Sequence, residues 1–187
     1  MRLRNLLVLA VVVLISLASM GHTPKVKYDR KLYRHWIDAD ADCQDARVEV
    51  LIRDAKAGTI QLTADGCRVA SGEWFDPYTG QTITDPTKLD VDHMVPLKAA
   101  HDAGGWRWTP DRKREYANNL RYRLHLVAVS ASANRQKGDK SPDRWRPENR
   151  DYWCAYAQAW ATVKFVEALT GTAAERTALK EMLETCR

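Results

Sequence analysis

The sequence predicts an α+β domain, because helical and strand-type hydrophobic periods alternate along one chain. Val48, Leu51, Ile52 and Ala55 recur at helical spacing between Asp45 and Lys56, whereas Lys88 to Asp92 and Leu124 to Ser130 read as β segments. Near the C-terminus, Trp153, Tyr156, Trp160, Val163 and Val166 form one helical stripe, and Leu179, Met182, Leu183 and Cys186 form another. A chain of 187 residues with 45% hydrophobic content can bury one sizeable core and is too short for two large ones.

The elements follow in order. Residues 1–20 pair a basic end with an apolar run from Leu6 to Ala18 and small residues at Ser16, Ala18 and Ser19. That is the layout of a secretory signal peptide cleaved near residues 18 to 22. The run is shorter than the roughly 20 residues that span a bilayer, so the expectation is a secreted or extracytoplasmic protein with no stable membrane insertion after cleavage. Residues 21–34 are polar and basic and read as a tether; residues 35–187 form a single domain. Gly58 ends the first helix, and Asp65-Gly66 supplies a tight turn between β segments at Thr59 to Thr63 and Cys67 to Trp74. Asp76-Pro77-Tyr78-Thr79-Gly80 is turn chemistry, and Pro96 ends the strand that starts at Lys88. Thr109 caps a helix over 110–117 that has Pro110 at its first position. Ala131 to Gly138 reads as a short helix closed by glycine, and Thr172 with Glu175 forms a capping box after a break at Thr170-Gly171.

Export turns the four cysteines into disulfide candidates rather than metal or redox thiols. Of the three possible connectivities, Cys43 with Cys67 and Cys154 with Cys186 keeps each bridge within one local module. The charge is unevenly spread. Between Lys98 and Arg150 there are 13 Lys and Arg against 6 Asp and Glu, while the rest of the chain after signal removal is net acidic. One region is therefore built to meet anions.

The stretch Leu89-Asp90-Val91-Asp92-His93-Met94-Val95-Pro96-Leu97 places acids and a histidine in an otherwise apolar strand. Strand alternation puts Asp90 and Asp92 on one face. Burying ionised carboxylates costs several kcal/mol per ion unless a cation answers them, and the neighbouring sequence offers none before Lys98, so a bound metal ion is expected. A lone Asp-His pair is more often a polar edge strand. Here it is followed by Asn119, a second β segment, and a short helix carrying Asn134 among Arg135, Lys137 and Lys140.

This series resembles the ββα-metal motif of the HNH (His-Me finger) nucleases. The segments HWID, EVLIRD, CRVASGEWFDPYTG, LDVDHMVPLKAA and SASANRQKGDKSPDRW together resemble secreted bacterial HNH endonuclease-like proteins related to the nuclease domain of GmrSD-type restriction enzymes. The likeness covers most of residues 33–187. It implies a ββα-metal core at about residues 88–140, an N-terminal helix and hairpin module, and a C-terminal helical hairpin. It also implies that His93 is the general base, that Asp92 is the first metal ligand, that Asn134 is a metal ligand or a ligand-orienting residue on the helix, and that Asn119 is the middle asparagine that orients the histidine loop. Members of the group often carry Asn-Asp where this chain has Asn118-Asn119, so the middle role falls to Asn119 or Asn118.

The chemistry is consistent with that reading. A neutral imidazole can take a proton from water near pH 7, and hard oxygen ligands suit one Mg²⁺ or Mn²⁺ ion. Arg135, Lys137, Lys140, Arg144 and Arg146 are candidates to hold phosphates of DNA, with RNA as a second candidate substrate. The tryptophans among them, Trp106, Trp108 and Trp145, are first read as packing residues, as are His101 and His125. His35, Arg47 and Glu49 fall in segments shared with the family. The alternative is a secreted, non-catalytic nucleic-acid-binding protein. A glycosidase using Glu49 and Glu73 has no support in their spacing.

Overall fold

Asp45 starts the first helix, its carboxylate accepting hydrogen bonds from the backbone N–H groups of Arg47 and Val48. Helix α1 spans Ala46–Asp54 in a computed structural model that describes residues 25–186. The expected signal peptide lies outside those residues. Two small antiparallel hairpins follow. Strands β1 (Gln61–Leu62) and β2 (Val69–Ser71) pair around Gly66, whose φ of 73° fits the expected turn. Strands β3 (Trp74–Asp76) and β4 (Gln81–Ile83) pair around a turn in which Asp76 accepts from the Tyr78 backbone and the Thr79 hydroxyl. Cys67 to Trp74 is therefore not one strand. It breaks at Gly72, where a Cβ would lie 2.5 Å from the Trp74 indole, so only glycine lets that ring tuck under the chain.

The central unit is formed by β5 (Leu89–His93), β6 (Leu126–Ser130) and helix α4 (Ala131–Lys137). The strands are antiparallel, with Leu89 opposite Ser130 and His93 opposite Leu126. Between them lie α2 (Leu97–Asp102), which the sequence did not suggest, and α3 (Pro110–Ala117), capped by Thr109 as expected. Ser130 caps α4, and Gly138 closes it with a φ of 54°.

Alternation along the strands serves two cores. Leu89, Val91, Leu126 and Ala128 pack with Val50, Leu51 and Trp74. Val127 and Val129 belong to the larger cluster with Tyr78, Met94, Tyr116, Ala133, Tyr156 and Trp160. Both strand faces are covered, so β6 reads as an apolar run, whereas β5 alternates and carries Asp90 and Asp92 on one of its faces. Helix α1 is also tied to the pair by polar contacts: Arg47 donates to the Leu89 carbonyl, Arg53 to the Leu126 carbonyl, and the Ala128 N–H to Asp54.

Helices α5 (Trp153–Val166) and α6 (Ala173–Leu183) make the C-terminal hairpin, bridged by Cys154–Cys186; the other disulfide is Cys43–Cys67. Half of the expected capping box forms, since Thr172 accepts from the Glu175 N–H. The Glu175 carboxylate turns inward instead, accepting from Trp160 Nε1 and Lys164. Residues 25–34 pack onto the domain rather than hanging from it. Tyr33 is fully buried, and its hydroxyl meets Nδ1 of the buried His101, whose Nε2 donates to the Val26 carbonyl. No helix among the described residues is long and apolar enough to cross a membrane.

Candidate active site

At the end of β5 the chain turns at Pro96, and the C-terminal half of α4 comes alongside. Together with the N-terminal segment they enclose a cleft of about 440 Å³, whose lining includes Arg30, Asp92, His93, Asn134 and Arg135.

Asp92 is 5% exposed. One of its oxygens, Oδ2, accepts hydrogen bonds from the Tyr78 hydroxyl and from the Lys137 ammonium. Burial pushes its carboxyl group above the usual range, and Lys137 and Tyr78 oppose that push. Lys137 is itself fully buried and also donates to the His93 carbonyl. Two expectations change here. The cation that answers Asp92 comes from the chain, so burial of that carboxylate does not by itself require a metal. And Lys137 is turned inward by the helix, out of reach of a phosphate on the surface. The other oxygen of Asp92, Oδ1, has no hydrogen-bond partner among the described residues.

His93 is also 5% exposed. Its Nε2 lies 2.9 Å from the Ala117 carbonyl at the end of α3. A carbonyl can only accept, so Nε2 carries the proton and Nδ1 keeps its lone pair. Trp36 covers the ring at 5.8 Å and Tyr116 stacks with it at 6.3 Å. Burial first, and the neighbouring His125 second, hold the imidazole well below its usual pKa, favouring the neutral form.

Asn134 is on α4, and its Nδ2 donates to Asp90 at 3.2 Å. That bond commits the amide nitrogen and leaves the carbonyl oxygen as an available acceptor. The two carboxylates on one strand face thus differ: Asp92 is held by Lys137 and Tyr78, while Asp90 holds Asn134. Arg135 approaches Asp90 at 3.9 Å and is otherwise exposed.

The two central asparagines are also distinguished. Asn118 accepts from the Ile37 N–H and donates to the carbonyls of Arg34 and Arg114, tying the loop after α3 to the segment that carries Trp36. Asn119 makes a local turn by accepting from the Arg121 N–H. Asn118, one residue after the carbonyl that binds His93, is thus better placed to hold that loop. Lys140 and Arg144 do not line the cleft; Lys140 donates to the Gln136 carbonyl, and Arg144 is exposed. Trp106, Trp108 and Trp145 are partly buried, and the latter two pack against the main core. Sequence reasoning missed Tyr78, Trp36 and Arg30. The shared segments HWID and CRVASGEWFDPYTG contain the first two, and were the available signal. A separate exposed group, Asp38, Asp40 and Asp42, brings carboxylate oxygens within 4.8 Å of one another in the loop before Asp45.

Comparison with known proteins gives two matches. Residues 45–175 match the family described as GmrSD restriction endonucleases, C-terminal domain. A protein of Arthroderma benhamiae described as an uncharacterized secreted protein is 40% identical over 163 residues, which is 87% of this chain and 78% of that protein. No solved structure matches the chain.

Proposed function

The chain belongs to the family of the C-terminal domain of GmrSD restriction endonucleases, and from that premise we propose that it is a metal-dependent HNH endonuclease. Its substrate would be DNA, with RNA as the second candidate. It is a secreted, extracytoplasmic protein, in keeping with its two disulfides and with the description of its Arthroderma benhamiae relative.

The observation that carries the reading is that three residues with an uncommitted acceptor line one cleft: His93 with Nδ1, Asp92 with Oδ1 and Asn134 with its side-chain oxygen. Nδ1 would take the proton of a water attacking phosphorus, a role worth ~10²- to 10⁴-fold in rate. The Ala117 carbonyl fixes the tautomer that leaves this nitrogen free. Asp92 and Asn134 would hold the ion, and their hard oxygens fit Mg²⁺ or Mn²⁺ better than a soft metal. That ion, when bound, supplies a positive charge for the phosphate and the departing 3′ oxygen. Tyr78 and Lys137 hold Asp92 through one oxygen and leave the other uncommitted. Arg135 would meet a flanking phosphate.

The Asp92–Lys137 pair favours a second reading, because it neutralises the carboxylate without an ion. On that reading the protein binds nucleic acid and does not cut it. Incubating the mature, disulfide-bonded protein with supercoiled plasmid in Mg²⁺ or Mn²⁺, beside an EDTA control, separates the two. Nicking that EDTA abolishes is expected; DNA binding without nicking under any of these conditions would favour the binding protein.

A further inference from the structure

The N-terminal segment, expected to be a tether, brings a cation to the cleft. Arg30 sits in a short turn of 3₁₀ helix, Arg30–Leu32, whose start is capped by Asp29 accepting from the Lys31 N–H. The backbone is anchored on both sides of it. Upstream, the Val26 carbonyl accepts from His101 Nε2; downstream, Tyr33 is fully buried with its hydroxyl on His101 Nδ1. His101 therefore clasps both ends of the segment, and Arg30 projects from it among the residues that line the cleft with His93.

Arg30 differs from the other cations lining that cleft. Lys98 is committed to Asp102 at 2.8 Å and Asp139 at 3.5 Å, and Arg135 has Asp90 at 3.9 Å. Among the described residues Arg30 has no carboxylate within salt-bridge distance, and its guanidinium makes a single long contact of 3.5 Å to His35 Nε2. His35 can accept there because its Nδ1 donates to the Tyr33 carbonyl. The guanidinium is thus an exposed and largely unpaired planar fork on an anchored backbone, in the same cleft as a neutral base. A phosphate is the anion whose geometry matches such a fork in two parallel hydrogen bonds.

We propose that Arg30 is a substrate-binding residue that holds a nucleic-acid phosphate at this cleft, from the N-terminal segment, while Arg135 contributes from α4. The proposal rests on the reading of the cleft as the nucleic-acid site. It gives the N-terminal segment a part in function: His101, Tyr33 and Asp29 are there to position one arginine.

The test is equilibrium binding of a fluorescein-labelled DNA duplex by the mature chain in EDTA, across a salt series. Arg30→Ala is expected to bind at least 5-fold more weakly, with the slope of log K against log salt shallower by about one. Arg30→Lys should keep the wild-type slope and regain part of the affinity. Lys25→Ala, which alters an exposed cation of the same segment paired with Asp102, should change neither quantity. Wild-type affinity and slope in Arg30→Ala, or no DNA binding by the wild-type protein, would overturn the proposal. Cleavage in Mg²⁺ or Mn²⁺ is read separately. A wild type that binds through Arg30 and never cuts would remove the nuclease reading and leave Arg30 in its role, whereas cleavage that ignores Arg30 would do the reverse.

Discussion

Lys137 and Asp92 stand 45 residues apart in sequence and meet where almost no water reaches them. Removing one member of such a pair leaves the other charge buried and unanswered, which typically costs ~3 to 5 kcal/mol. Lys137→Met should therefore lose stability on that order in urea denaturation, and Asp92→Leu combined with Lys137→Met should recover much of it. Equal stability of Lys137→Met and wild type would mean that the pair does not form. This pairing was hidden from sequence reasoning because Lys137 lies in a basic stretch and has the composition of a phosphate contact. The available signal was helical spacing: Lys137 is four residues from Ala133 and shares its buried face. His93 stands out as a polar group in an apolar stretch, whereas Asn134 is legible as a site candidate only through the family likeness. The contacts that orient them, from Ala117 and Asp90, depend on chain folding and leave no local mark.

Elements with strong local signals were readable to within a residue or two. Thr109 and Pro110 mark the start of α3, and Gly138 marks the end of α4. Helix α2 leaves little local mark, since it is six residues long and its N-cap position, Pro96, makes no side-chain cap. The residues from Cys67 to Trp74 suit one strand, whereas the close approach of Trp74 to Gly72 that breaks it is a tertiary fact. Gly138 supports an expectation at this scale. Its φ of 54° with ψ of −125° is a backbone state costly for any residue with a Cβ. Gly138→Ala should lower stability by ~1 to 3 kcal/mol, measured by thermal or urea unfolding, with an unchanged midpoint as the contrary result. Because α4 carries both Asn134 and Lys137, cleavage should weaken along with the helix.

Across the whole molecule, α+β class, both disulfide pairings and the C-terminal helical hairpin follow from periodicity and cysteine locality. What could not be read was how the N-terminal segment folds back, because Tyr33 and His101 meet across 68 residues. Global stability should also respond to acid. His125 is 2% exposed, and burial lowers its pKa from 6.5 to about 4. The folded state therefore favours neutral His125, and its contribution is fully present above pH 6.5 and is lost as pH falls from 6.5 to 4. The linked loss is up to about 3 kcal/mol, and His125→Gln should flatten that part of the stability profile measured by urea unfolding at a series of pH values. A profile unaltered by the substitution would assign acid sensitivity to other groups. The central claim concerns His93, and the most direct measurement compares plasmid nicking by wild type and His93→Ala in Mn²⁺, with Mn²⁺ affinity and unfolding midpoint followed on the same samples. Loss of nicking by at least 100-fold, with metal affinity and stability close to wild type, is the expected result. Nicking at the wild-type rate by His93→Ala would contradict the assignment of the base.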